Sequence, residues 1–175
     1  GVSDRFAGGF WWLDQLGQLA ARGHQGVVRQ TLTGSDYGLL TPDLEPTADW
    51  WTSVLYQWLV NTTVLEASVD HPDLRVYAHC SNHQGVVAIV LNVGDEDLAL
   101  DVGGTAEAWL LTAESLDSKD VMLDGHPLEL RDDATVPALV PDSRVLGVVD
   151  VPARSYGFVR VTSRTDSCPQ VNVED

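Results

Sequence analysis

The sequence predicts an α/β segment followed by an antiparallel β-sandwich, and three observations predict it. Five of the six Trp lie in the first 60 residues, at helical spacings. Beyond residue 60, about seven short segments alternate apolar and polar side chains with the two-residue period of strands, separated by Gly, Pro, Asp and Asn. Charge divides at the same place: 3 Lys and Arg against 6 Asp and Glu in residues 1–60, then 7 against 20, a net of −3 and −13. Two regimes of composition imply two structural contexts, with the change near residues 60–64.

The first regime reads as helix, strand, helix. From Asp4 to Arg22, Phe6, Phe10, Leu13 and Gly17 recur at helical spacing, Trp11, Leu16 and Leu19 widen the stripe, and Gly23 is placed to end it. Val27 to Leu32 is a β-branched run, closed by the turn residues Gly34-Ser35-Asp36-Tyr37-Gly38. After Pro42 and Pro46, Thr47 is placed to cap a second helix, with Trp51, Val54 or Leu55, and Trp58 on one face and Asp49 complementing its N-terminal dipole. A single strand between two helices has two unpaired edges. It is the repeating unit of parallel α/β folds, whose other strands are expected before Gly1 in the sequence.

The second regime supplies strands at Thr63 to Val69, Leu74 to Cys80, Val86 to Val93, Leu98 to Val102, Ala106 to Thr112, Val145 to Val151 and Ser155 to Val161. Asp95-Glu96-Asp97 is expected at a charged hairpin end.

Composition excludes several functions. Ten Lys and Arg against 26 Asp and Glu give a net charge of −16, which opposes capture of a nucleic-acid backbone or an anionic membrane. No apolar run approaches the length of a membrane span, and no basic-then-apolar signal opens the chain. Cys80 and Cys168 permit one disulfide, which persists only in an oxidising compartment. Asn61-Thr62-Thr63 is a possible N-glycosylation sequon at Asn61.

Candidate chemistry is sparse. His79, Cys80 and His83 lack a second ligand segment, so no metal site is read from them, and the acidic clusters lack calcium-loop spacing. No nucleophile elbow, phosphate-binding glycine loop or cofactor motif is present. The informative segment is Gly34 to Leu40. If Val27 to Leu32 is a barrel strand, this loop lies at its C-terminal end, where barrel enzymes keep their active sites, and Tyr37 either meets a ligand there or packs at the strand end.

These segments carry a resemblance. Asp4-Arg5-Phe6-Ala7-Gly8-Gly9-Phe10-Trp11-Trp12-Leu13-Asp14-Gln15-Leu16-Gly17, Arg29-Gln30-Thr31-Leu32, Asp36-Tyr37-Gly38-Leu39-Leu40, Pro46 to Trp51 and Leu74-Arg75-Val76-Tyr77-Ala78-His79-Cys80 resemble the C-terminal part of glycoside hydrolase family 79, the heparanase family of retaining β-glucuronidases. The resemblance implies the last helix–strand–helix elements of a (β/α)8 TIM barrel in residues 1–61 and a C-terminal β-sandwich in residues 62–175. It implies a Cys80–Cys168 disulfide and a secreted, extracellular or lysosomal protein. The mechanism implied is double displacement by two Glu residues, both outside this chain, without a cofactor or metal. Tyr37 matches the tyrosine that contacts the glucuronate carboxylate, with Asp36 and Ser35 as loop neighbours and Gly1 as a remnant of a carboxylate-binding glycine loop.

The implied partners are a glucuronic-acid-containing glycan and the N-terminal barrel portion of the same enzyme. Heparanase-type members carry a Lys- and Arg-rich stretch before the segment matching Leu74-Arg75-Val76-Tyr77; here it is Asp70-His71-Pro72-Asp73. With −13 beyond residue 60, a sulfated polyanion meets repulsion. The expectation is therefore a β-glucuronidase acting on less charged glycans. Cleavage of heparan sulfate is the alternative, and a noncatalytic truncated homologue binding a glycan or a partner protein is the alternative of another class.

Overall fold

A computed structural model describes residues 1–141, 143–164 and 168. Helix α1 is Phe6–Ala21 and buries Phe6, Gly8, Gly9, Trp12, Leu13, Leu16 and Gly17. The buried stripe is thus rotated from the expected one: Trp12 turns inward and Trp11 stays exposed. Helix α2, Ala48–Leu59, buries Trp51, Leu55 and Leu59 at i, i+4 and i+8. Trp58, expected on that face, stands beside it, half exposed and edge-on to Trp109. Thr47 is the N-cap residue, but its side chain caps nothing in the helix; the hydroxyl donates to the Leu39 carbonyl at 2.9 Å.

Val27 to Leu32, expected as a strand, joins no ladder, and Val28 is 95% exposed. Strand backbone needs a neighbouring edge to pair its N–H and C=O groups, and among the described residues no strand lies beside this run.

The remaining elements form one antiparallel sheet: β1 (Val60–Leu65), β2 (Leu74–Ser81), β3 (Val86–Asn92), β4 (Leu98–Thr112), β5 (Met122–Leu123), β6 (His126–Pro127), β7 (Ser143–Val151) and β8 (Ser155–Val161). Their order is β1-β2-β3-β8-β4-β5-β6, with β7 also on β4. β1 follows α2 without a linker and begins before the expected Thr63. The two strands expected at Leu98 to Val102 and Ala106 to Thr112 are one strand with a register shift between Asp101 and Thr105. The β5–β6 hairpin turns at Asp124 and Gly125, both with positive φ (53° and 70°), the backbone an Asp-Gly two-residue turn favours. Asp95-Glu96-Asp97 is not a hairpin end. β3 and β4 lie on either side of β8, so this segment crosses to meet the β7–β8 turn, where Asp97 accepts from the Ala153 N–H and Asp95 pairs with Arg154.

Alternation along the strands sorts the core onto two faces. Val87, Ile89, Leu91, Trp109, Leu111, Tyr156 and Phe158 pack with α1 and α2. On the opposite face Val90, Ala106, Ala108, Leu110, Val159 and Val161 gather with Val102 of the first half of β4 and with Val149 and Val151 of β7. Cys80 and Cys168 form a disulfide across 88 positions, with Cα atoms 5.5 Å apart. No helix among the described residues is long and apolar enough to cross a membrane.

Candidate functional site

The segment from Thr31 to Leu40 closes on itself. The Leu39 N–H donates to Thr31 O (2.9 Å), the Leu40 N–H to Leu32 O (2.8 Å), and the Gly38 N–H to Ser35 O (3.2 Å). Tyr37 is at the tip of this loop, 42% exposed, and its hydroxyl bonds to no described residue. Exposed phenol with an unused donor and acceptor is free to meet a ligand, whereas a tyrosine packed at a strand end would be covered.

Ser35 and Asp36 line a cavity of about 210 Å³ beside the loop, with Asp4, Asp43, Glu45 and Lys119 also in its wall. Ser35 Oγ is buried there without a partner among the described residues. Gly1 adjoins the same place: a Cβ on Gly1 would stand 3.7 Å from Asp36 Oδ2. The structure therefore brings Gly1, Ser35 and Asp36 together, while Tyr37 belongs to the loop but not to the wall of that cavity. Four carboxylates and one ammonium make the wall acidic, suited to accept hydrogen bonds from hydroxyl groups and opposed to a dense anion. Lys119 lies 3.8 Å from Asp4, so this cation is partly neutralised.

Asn61 lies apart from this loop, on β1. Its Nδ2 donates to Asn82 Oδ1 (3.2 Å) and its Oδ1 accepts from the Thr63 N–H (3.3 Å). A larger cavity of about 670 Å³ runs between α1, α2 and β1, with Trp12, Tyr56, Asn61 and His79 in its wall. His79 is buried, its Nδ1 lies 3.1 Å from Asn61 O, and its Nε2 has no partner among the described residues. Burial lowers its pKa, against the opposing hydrogen bond to Asn61.

Sequence reasoning missed the ion pair beneath the loop. Arg29 directs Nε and Nη2 onto Asp49 Oδ2 at 3.0 and 2.6 Å, and the carboxylate is only 1% exposed. The Arg29 guanidinium carbon lies 5.4 and 5.6 Å from the ring centroids of Trp11 and Trp12. Burial pushes the Asp49 pKa up while Arg29 opposes the rise. Asp49 therefore serves as partner to Arg29, beyond the dipole role expected of a first-turn acid. A signal was present: an acid in the first turn of an aromatic-rich helix, with an arginine in the apolar run before it.

No protein-family model matches the chain. It is 36% identical over 177 residues to heparanase of Gallus gallus, covering 90% of this chain and 34% of the relative. Hyaluronoglucuronidase of Hirudo nipponia is 35% identical over 188 residues, covering 95% of this chain and 38% of the relative. Inactive heparanase-2 of Mus musculus is 31% identical over 186 residues, covering 90% and 31%. The chain spans about a third of the length of these curated relatives. In fold it is similar to a family 51 arabinofuranosidase from Xanthomonas axonopodis pv. citri, with a TM-score of 0.59 at 15% identity, covering 90% of this chain and 36% of that one. Over the third of the relatives' length that it spans, the chain is heparanase-like in sequence, similar to heparanase and to hyaluronoglucuronidase.

Proposed function

We propose that this chain is the C-terminal portion of a retaining β-glucuronidase that hydrolyses β-linked glucuronic acid in glycans. The observation that carries the reading is the similarity to heparanase and hyaluronoglucuronidase across 90% and 95% of the chain. In this reading residues 1–61 are the last elements of a (β/α)8 barrel and residues 62–175 a β-sandwich that buttresses it. Val27 to Leu32 is then a barrel strand whose neighbours come from the N-terminal portion of the enzyme. Its exposed Val28 and Leu32 side chains, 95% and 60% accessible, suit such a partner.

Both catalytic Glu residues lie in that N-terminal portion, one as nucleophile and one as acid and base. Tyr37 contacts the glucuronate carboxylate, with Ser35, Asp36 and Gly1 beside it. The acidic wall next to the loop and the sequence Asp70-His71-Pro72-Asp73 favour weakly charged glycans over heparan sulfate. The disulfide fits a secreted, extracellular or lysosomal protein, in which Asn61 is open to glycosylation.

The test is hydrolysis of an aryl β-glucuronide. The full-length protein containing this chain should turn it over, and residues 1–175 alone should not. The similarity to inactive heparanase-2 favours a second reading, a noncatalytic homologue that binds a glycan or a partner protein. Glycan binding by the full-length protein without turnover would establish that reading instead.

A further inference from the structure

The loop that carries Tyr37 stands on one helix turn with both feet. Its first foot is Arg29, forked onto Asp49 in the first turn of α2, with Nη1 also donating to Gln30 O at 3.0 Å. Its second foot is Leu39, whose carbonyl accepts the Thr47 N–H at 3.0 Å and the Thr47 hydroxyl at 2.9 Å. Thr47 precedes Asp49 by two residues, and the Leu39 N–H returns to Thr31 O, so the links close into a ring: Arg29, Asp49, Thr47, Leu39, Thr31, Gln30. Tyr37 projects from this ring.

The first foot is held from the side of α1 as well. Trp12 Nε1 donates to Ser53 Oγ at 2.8 Å, the Ser53 hydroxyl donates to Asp49 O at 2.6 Å, and the Trp11 and Trp12 rings both lie near the guanidinium. A lysine could supply the charge, but not two donors to one carboxylate oxygen together with a flat cation against indole rings. With 12% side-chain exposure and Asp49 as its partner, Arg29 is not itself a free site for a ligand carboxylate.

We infer that Arg29 is a positioning residue for glucuronate recognition: through Asp49 and the ring of backbone links it sets where the Tyr37 hydroxyl stands. The inference rests on the reading in which Tyr37 contacts the glucuronate carboxylate, and it adds that the contact depends on a buried ion pair that never touches substrate. The Arg29 side chain has strong apolar and polar reasons to stay where it is, and the tip of the loop is tied to it through the two feet and through the loop's own Gly38–Ser35 and Leu40–Leu32 backbone bonds.

The experiment is a double-mutant cycle in the full-length enzyme, with steady-state kinetics on an aryl β-glucuronide and the matching aryl β-glucoside. Tyr37→Phe should lower kcat/KM on the glucuronide about tenfold more than on the glucoside, the effect of one hydrogen bond to a charged group. Arg29→Lys should lower the same ratio about threefold to tenfold, chiefly through KM. The double variant should be no worse than Tyr37→Phe alone. Asp49→Asn, which keeps the helix turn and weakens the same pair, should reproduce Arg29→Lys and serves as the second variant should that protein fail to fold. Equal losses on both substrates, or multiplying losses in the double variant, would overturn the positioning role while leaving Tyr37's role intact. An unchanged preference in Tyr37→Phe, or no glucuronide turnover by the full-length protein, would overturn the functional reading and this inference together.

Discussion

Tyr156 occupies the space that a side chain at Gly9 would need. A Cβ on Gly9 would stand 2.2 Å from the Tyr156 hydroxyl oxygen and 2.4 Å from Cζ. The ring also stacks on Phe6, with centroids 4.5 Å apart, and the hydroxyl donates to the Phe6 carbonyl at 3.1 Å. Burial, together with the Asp49 charge, holds the Tyr156 pKa well above its ordinary value, so the donor stays protonated. This contact joins α1 to β8, and the absent side chain is what allows it.

Gly9→Ala should therefore destabilise the protein although alanine is the better helix former. The propensity gain is about 1 kcal/mol, and forcing atoms into a packed core costs about 1–3 kcal/mol, more where a fully buried ring must move. Urea denaturation should show the lower midpoint. An unchanged midpoint would mean that Tyr156 shifts without loss.

Reduction of the Cys80–Cys168 disulfide should lower the melting temperature. Opening a loop of 88 positions returns about 4–5 kcal/mol of chain entropy to the unfolded state, an upper value. Mass analysis without reductant should find neither cysteine alkylated, and thermal scans with and without reductant should differ. Two alkylatable cysteines in the native protein would refute the bridge and remove the support it gives to secretion.

Stability should fall on the acid side of pH 6.5, with His79 contributing. Its folded pKa is lowered from 6.5 by burial, so the unfolded chain binds the proton more readily. The contribution is fully present above 6.5 and is lost as pH falls toward the lower folded value, with a slope of at most about 1.4 kcal/mol per pH unit. His83, lowered by burial and by Arg160, acts in the same direction. His79→Phe should flatten part of this slope. An NMR titration in which the His79 ring proton shifts with a midpoint at 6.5 or above would contradict the assignment.

On the proposed function, sulfation should weaken the full-length protein's activity on otherwise matched glycans, most strongly at low salt. The −13 net charge beyond residue 60 and the carboxylates beside the Tyr37 loop repel a polyanion, and raising ionic strength screens them. The ratio of rates on unsulfated and sulfated chains should therefore shrink as salt is added. Preference for the sulfated chain at low salt would reverse the substrate reading.

Much of the architecture was legible in the sequence because it is local. The 3.6-residue recurrence of Phe6, Leu13 and Gly17 announces α1, and the alternation from Ser155 to Val161 marks β8 to the residue. Gly and Asp punctuation separates the strands, and the resemblance points to the Cys80–Cys168 pair seen in the fold. Pairing is another matter, since it joins residues far apart in the chain. Val27 to Leu32 has strand composition, yet no strand edge among the described residues gives it a ladder. Asp95-Glu96-Asp97 looks like a hairpin end until the order β3-β8-β4 shows it crossing a strand.

The candidate site divides in the same way. The turn residues around Tyr37 mark a loop, and the position of that loop after a β-branched run is what makes it the candidate site. Only the tertiary structure decided that the loop stands on Arg29–Asp49 and Thr47, that Gly1 lies beside Asp36, and that His79 is buried with one nitrogen unpartnered among the described residues. Sequence carries the periodicity that tells each element which face is apolar. Which elements meet, and therefore which charges must pair and which glycines must stay bare, is set when distant segments compete for the same buried space.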